Sequence, residues 1–139
     1  PFLEGIAWVV KKKLDLAAMR RAASCLIGTH DFSSFQGALR KASNPVRTIF
    51  RITVKHERFT LDPAMRLVVV EVTGSGFLYK MVRTIVGTLV DAGTGKLSPE
   101  QVMEILLQRN RSSASRTAPA HALYLKKVFY GRVRGTCRD

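Results

Sequence analysis

The alternation of apolar and polar positions divides the chain into short strands and helices of three or four turns. A first strand is expected at Ile6–Val10, with Trp8 at its centre and Lys11, Lys12 and Lys13 ending it. Asp15 then precedes apolar residues at Leu16, Met19, Ala23, Leu26 and Ile27, the i, i+3, i+4, i+7 spacing that gives a helix one buried face. Gly28 follows the last of them, where a left-handed residue closes a helix most easily as glycine. Thr29–Asn44 is aromatic, polar and basic without a period, and reads as a loop. Over Val46–Glu57, Thr48, Phe50, Ile52 and Val54 alternate with Ile49, Arg51, Thr53 and Lys55, the period of two of a half-buried strand. Arg66–Thr73 is a second, Val-rich strand, and Asp62–Pro63 marks the turn of an antiparallel pair.

Gly74–Ser75–Gly76 opens a helix expected over Phe77–Ala92, with Leu78, Met81, Val82, Ile85 and Leu89 as its apolar stripe and Gly93 and Gly95 at its end. Three signals agree on another helix from Ser98. Pro99 takes the first helical position, Gln101 completes a capping box, and Leu97 with Val102 forms a hydrophobic staple. That helix is expected to stop near Arg109. Asn110–Thr117 is polar and basic, and Leu123–Tyr130 is a closing strand. The order β-α-loop-β-β-α-α-β predicts an α+β fold, an antiparallel sheet with helices packed on one face.

At 139 residues the chain fits a single domain over 1–139, and its 46% apolar content excludes a disordered chain. No apolar run approaches the ~18–20 residues of a membrane-spanning helix, so no membrane partner is expected. Cys25 and Cys137 are too few for a disulfide framework, which makes a reducing, intracellular compartment the default. Because the chain starts at Pro1 rather than Met, its true N-terminus is expected upstream or processed, together with any targeting segment. Charge changes the picture most: 23 Lys and Arg against 10 Asp and Glu give +13. Such an excess points to a polyanion. A membrane surface calls instead for one basic amphipathic helix, whereas these cations are dispersed along the chain, as suits a broad face on a folded nucleic acid.

Most local motifs fail on inspection. Gly93–Thr94–Gly95–Lys96 has Val90 and Leu97 where a phosphate-binding loop needs Gly and Ser or Thr. Gly74–Ser75–Gly76 has Tyr79 at the third glycine position of a dinucleotide fingerprint, although a helix start there can hold one phosphate. His30, His56 and His121 are scattered and predict no metal site. Cys25 falls on a helix's apolar face as core packing, and Asp31 reads as a turn or cap former. Arg83 stands apart. Met81, Val82, Thr84, Ile85 and Val86 flank it, an unusual address for a permanently ionised fork. A semi-buried guanidinium needs an anionic partner. Spacing singles out none of the five Asp and five Glu, which leaves a carboxylate or a phosphate outside the chain open.

Several segments together resemble one family. Gly28-Thr29-His30-Asp31-Phe32-Ser33-Ser34-Phe35 is similar to the G-x-H-D-F-S-S-F signature of TruA-type tRNA pseudouridine synthases. Gly76–Leu89, with Phe77-Leu78-Tyr79-Lys80-Met81-Val82-Arg83, resembles that family's G-x-F-L-y-x-M-V-R-x-I-V-G-x-L helix. Ala118–Pro119 followed by Leu123-Tyr124-Leu125 looks like its A-P-x-x-G-L-x-L closing strand. The resemblance implies half of a pseudouridine synthase fold and an isomerase that turns uridine in tRNA into pseudouridine without a cofactor. In that family the Asp of an Arg-Thr-Asp-x-Gly-Val-His segment starts cleavage of the glycosidic bond. No Asp here follows Arg-Thr. The chain is therefore expected to be the C-terminal domain alone, inactive by itself, with the N-terminal catalytic domain of the same polypeptide as its partner and a homodimer left open. Carried over by motif, Arg83 is the active-site Arg that pairs with that Asp. Phe77, Leu78, Tyr79 and Lys80 lie near the cleft, and Leu123 lines the uracil pocket. Arg47, in the intervening Val46–Ile49, joins them as an RNA contact. His30, Asp31, Phe32 and Phe35 match a signature that is structural or RNA-adjacent. One departure is Ala122, where the family has Gly. The alternative to the isomerase is a non-catalytic basic RNA-binding module, which would want Arg83 exposed.

Overall fold

The structure, a computed structural model, describes residues 10, 12–58, 66–113 and 117–120. The expected closing strand Leu123–Tyr130, the Asp62–Pro63 turn and, Val10 apart, the expected opening strand lie outside the described residues. The elements run α1 (Leu16–Leu26), β1 (Gly28–Asp31), a 3-10 turn (Ser33–Phe35), β2 (Val46–Arg58), β3 (Arg66–Gly74), α2 (Met81–Gly93), α3 (Pro99–Gln108) and a second 3-10 turn (Arg111–Ser113). The three strands form an antiparallel sheet in the order β1-β2-β3. This is an α+β fold, with α1 packed against β2, α2 and α3.

Helix α1 forms where its apolar spacing and its cap agree. The Asp15 carboxylate accepts from the Ala18 amide at 3.2 Å. Met19, Ala23 and Leu26 are buried as predicted, but Ile27 lies beyond the helix and is 40% exposed. Gly28 has φ +109°, the positive angle expected there. The loop expected over Thr29–Asn44 is a correction: Gly28–Asp31 pairs with β2 in the register Gly28↔Ile49 to Asp31↔Val46. Its residues carry little intrinsic strand preference, and pairing with β2 overrides that weak local signal. The facing Thr29 and Thr48 hydroxyls hydrogen-bond at 2.7 Å.

Strand β2 departs from a clean period of two. Ile49 faces Gly74 and Arg51 faces Thr73, so Phe50 is an extra residue in a β-bulge. Burial changes phase there: Ile49 is 1% exposed before it and Val54 3% after it, while Phe50 is exposed at 36%. Gly74 sits opposite this irregularity. A Cβ on it would come within 2.8 Å of the Thr48 carbonyl oxygen, a backbone atom, so only glycine allows the approach.

Helix α2 begins at Met81 rather than Phe77. Residues 75–80 form a connection, and Lys80, at φ 59° and ψ 12°, is left-handed, which breaks the helical run before Met81. Met81, Ile85 and Leu89 are fully buried and Val82 only half-buried. Thr84 and Thr88 are also fully buried, their hydroxyls donating to the Lys80 and Thr84 carbonyls one turn back at 3.0 and 2.9 Å. Helix α3 has the predicted capping box. Ser98 Oγ accepts from the Gln101 amide at 3.2 Å, and Gln101 Oε1 accepts from the Ser98 amide at 2.7 Å. It ends at Gln108, with Arg109 left-handed behind it. Phe32 and Phe35 join residues of all three helices and β2 in one core.

Candidate functional site

The connection from β3 to α2 gathers several of the residues singled out by sequence. It is pinned to β2 at its start: the Ser75 amide donates to the Thr48 carbonyl at 2.9 Å, and the Thr48 amide donates to Ser75 Oγ at 3.1 Å. Arg47 lies beside Gly76, about 3.9 Å from where a Cβ would stand, and its Nη1 donates to the Asn44 and Val46 carbonyls at 2.7 and 2.8 Å. The Phe77 ring leans on Gly74 and stays 41% exposed. Leu78 is buried in the core. Tyr79 accepts the Gly37 amide on its carbonyl at 2.7 Å, and its ring has two cations near it, the Arg40 guanidinium at 5.5 Å and the Lys80 ammonium at 5.3 Å from the centroid. Both lie within the reach of a cation–π contact. Arg40 carries no sequence signal beyond its place among the dispersed cations, because the stretch that holds it has no period and no motif. Since α2 starts at Met81, the glycines at 74 and 76 do not open a helix, and no helix start stands there to hold a phosphate.

Arg83 lies in the first turn of α2 and is half-buried. Its Nε donates to the Ala118 carbonyl at 2.8 Å, and its own carbonyl accepts from the Ala118 amide at 2.9 Å. Ala118 is 5% exposed, so the accepting end of this anchor is buried. Among the described residues no carboxylate forms an ion pair with Arg83. With Nε engaged, the two terminal nitrogens are the donors left for an anion.

The His30–Phe35 signature is a piece of architecture. His30 Nε2 donates to the Ile27 carbonyl at 2.9 Å, and its ring meets Phe32 edge-on at 5.7 Å. Phe32 packs on Phe35 at 6.1 Å, and neither is exposed, so as folded neither ring can touch RNA. Asp31 forms the turn, as its residue type predicts. One oxygen accepts the Ser33 amide at 2.9 Å and the Ser33 hydroxyl at 2.5 Å, and the other lies 3.7 Å from Arg109 Nε. Partial burial pushes this carboxyl up, but the two Ser33 hydrogen bonds and the Arg109 charge outweigh it and hold Asp31 below its ordinary value. Burial, reinforced by Glu100, pushes the Cys25 thiol up, which makes it a poor nucleophile. It is half-buried rather than in the core, with Sγ 3.6 Å from the Pro99 carbonyl. No metal-holding group of His, Cys, Asp or Glu occurs among the described residues, and none of their helices is long and apolar enough to cross a membrane. Leu123 lies outside the described residues.

A family model described as tRNA pseudouridine synthase matches residues 22–131. The chain is similar to tRNA pseudouridine synthase A of Thermosipho africanus (strain TCF52B), at 46% identity over 129 residues, covering 93% of this chain and 50% of that protein. It is 45% identical over 121 residues to the enzyme of that name from Acetivibrio thermocellus, covering 87% and 47% of the two chains. For the Bacillus subtilis (strain 168) protein of the same name, identity is 44% over 129 residues, covering 93% and 49%. The chain thus spans about half the length of the curated relatives it matches. The match runs through the β1 signature, the β3–α2 connection and Arg83, and the chain belongs to the TruA-type tRNA pseudouridine synthase family.

Proposed function

We propose that this chain is the C-terminal half of an enzyme that isomerises uridine to pseudouridine in tRNA, and that Arg83 is its contribution to the chemistry. The observation that carries this reading is a half-buried guanidinium, anchored through Nε and without an acidic partner among the described residues. An ionised fork held in that state is costly unless an anion meets it. The catalytic Asp of the N-terminal half supplies one. It approaches end-on, because Nε is taken by Ala118, and two parallel hydrogen bonds from the terminal nitrogens orient the acid and keep it ionised. A lysine, with one compact charge, gives weaker orientation.

The target uridine leaves its stack and enters the cleft at a cost of a few kcal/mol. There the C1′–N1 bond breaks, the uracil turns, and C1′ bonds to C5. The C5 hydrogen departs as a proton and N1 takes one up, so no redox partner or cofactor is required. Phe77, Tyr79, Lys80 and Arg47 border the cleft on this side, Leu78 backs it from the core, and Leu123 belongs to the uracil pocket. The basic surface binds phosphates without reading sequence, so affinity falls with salt. The chain alone, lacking the Asp, does not turn over. A plain RNA-binding module would present Arg83 to solvent, and its half-burial favours the isomerase.

The test is tritium release from tRNA labelled at uridine C5, assayed with the full-length protein. Arg83→Ala abolishes turnover while tRNA affinity falls by less than about threefold, and Arg83→Lys recovers only a small part. Near-normal turnover of Arg83→Ala refutes the assignment.

A further inference from the structure

A second cationic place adjoins this connection, from which Gly37, bonded to the Tyr79 carbonyl, separates it. Between the Ser33–Phe35 turn, the loop after it and the end of α3 is a recess of about 330 Å³, with Lys41, Arg109 and Arg111 as its charged walls and Ser33 and Gln36 among its polar ones. No Asp or Glu lines it, and none of its lining residues belongs to Gly74–Arg83. Arg111 is half-buried, and among the described residues no hydrogen bond or ion pair takes up its side chain. Arg109 is held at φ 53°, a left-handed angle that strains a non-glycine residue. Glycine is the usual solution just beyond a helix, and strain kept at such a point marks a side chain wanted for something else. The Asp31 carboxylate lies 3.7 Å from Arg109 Nε, and the terminal nitrogens of this exposed side chain remain open to another anion.

The walls are fixed in advance. The Ser34 hydroxyl donates to the Ile105 carbonyl at 2.6 Å and accepts from the Asn110 amide at 2.9 Å, tying the turn to the end of α3. Gln36 Nε2 donates to the Arg40 carbonyl at 3.0 Å and holds the loop. Three cations therefore line walls of preset geometry, an arrangement matched by phosphate oxygens. Lys41 and Arg109 are exposed at the rim, which suits a polymer passing across rather than an enclosed small anion.

We propose that this recess seats a phosphodiester of the RNA backbone, so that the substrate is gripped at a second point beside the Tyr79 border of the Arg83 cleft. The identity of the polymer rests on the isomerase reading above; the phosphate chemistry does not.

The test uses the full-length protein with Lys41→Gln and Arg111→Gln. Lys96→Gln is the control, removing the same charge from an exposed position between α2 and α3. Each recess variant is expected to bind substrate tRNA roughly fivefold to tenfold more weakly. Each also lowers the slope of log affinity against log salt by about 0.7–0.9. KM rises by the same factor, kcat at saturating tRNA is unchanged, and the control shifts affinity less than twofold. Arg109→Gly is expected to weaken tRNA binding without lowering the thermal midpoint, since glycine relieves the backbone. Equal losses in the recess variants and the control, or unchanged binding by Arg109→Gly, overturn the proposal. Inorganic phosphate, titrated while the Ser33 and Arg111 amide signals are followed, distinguishes a small-anion site. Saturation only at tens of millimolar is expected, and submillimolar saturation with tRNA binding unaffected overturns the RNA assignment. If the unmodified full-length protein releases no tritium, the isomerase reading fails on its own, while the binding comparison still decides the recess.

Discussion

Gly37→Ala is the substitution whose outcome follows most directly from the geometry. A Cβ at position 37 would stand 2.6 Å from Tyr79 Cδ2, 3.0 Å from Tyr79 Cε2 and 3.3 Å from Lys80 Cδ. Ordinary contact begins at 3.4 Å, so the Tyr79 ring must retreat by the difference from 2.6 Å, about 0.8 Å. The Tyr79 backbone is held close by the bond from the Gly37 amide to its carbonyl at 2.7 Å, so the ring must turn about its own side-chain bonds. Forcing one methyl group into such a contact costs about 1–3 kcal/mol. The displaced ring also gives up part of its contacts with Arg40 and Lys80, roughly 0.5–1 kcal/mol each at an exposed site. The expected destabilisation is therefore about 2–4 kcal/mol in denaturant unfolding. A double-mutant cycle isolates the cause. With Tyr79→Ala the clash disappears, and Gly37→Ala added to it costs less than about 1 kcal/mol, leaving a coupling near 2 kcal/mol. An equal cost of Gly37→Ala in both backgrounds would show that the ring is not what the methyl meets, and the geometry of this corner would be wrong.

Other outcomes follow from single features. Lys80→Gly removes a left-handed lysine at φ 59° and is expected to raise stability by up to about 1 kcal/mol in thermal unfolding; a loss beyond that size contradicts the strain. Phe35→Ala empties a fully buried site and should cost about 3–5 kcal/mol by the same measurement, against which a cost under 1 kcal/mol counts decisively. The Asp31 carboxyl is held below its ordinary 3.8, so the stability it adds is complete above that pH and is lost as the pH falls through the lower folded value. Asp31→Asn should flatten that acid limb of the stability–pH curve, and an unchanged limb argues against the Ser33 and Arg109 contacts.

Much of this architecture is written locally. The Ser98 capping box, the Asp15 cap and, Ile27 apart, the apolar stripe of α1 are settled by near neighbours in the chain, and the structure repeats them. What sequence could not reveal depends on partners far along the chain. Gly28–Asp31 becomes a strand only because β2 offers a free edge. The bulge at Phe50 is invisible to an alternation that continues on either side of it, since a surplus residue shifts the phase without changing the residue types. The late start of α2 turns on one backbone angle at Lys80, a residue whose type predicts helix. For the site, the apolar neighbours of Arg83 announced its half-burial, whereas its tether to Ala118 spans 35 positions and leaves no trace in spacing. Arg40 and the Lys41–Arg111 recess come together through loop packing, which has no periodic signature at all.

The surplus residue in β2 also separates two kinds of change that a sequence comparison tends to merge. Replacing Phe50 alters a partly wet ring and leaves both halves of the strand paired as they are. Excising it removes the surplus step, leaving Ile49 opposite Gly74 and Arg51 opposite Thr73 in an unbroken alternation, with Ile49 and Val54 both still facing the core. One change keeps the kink and the other irons it out, and neither turns the core face over.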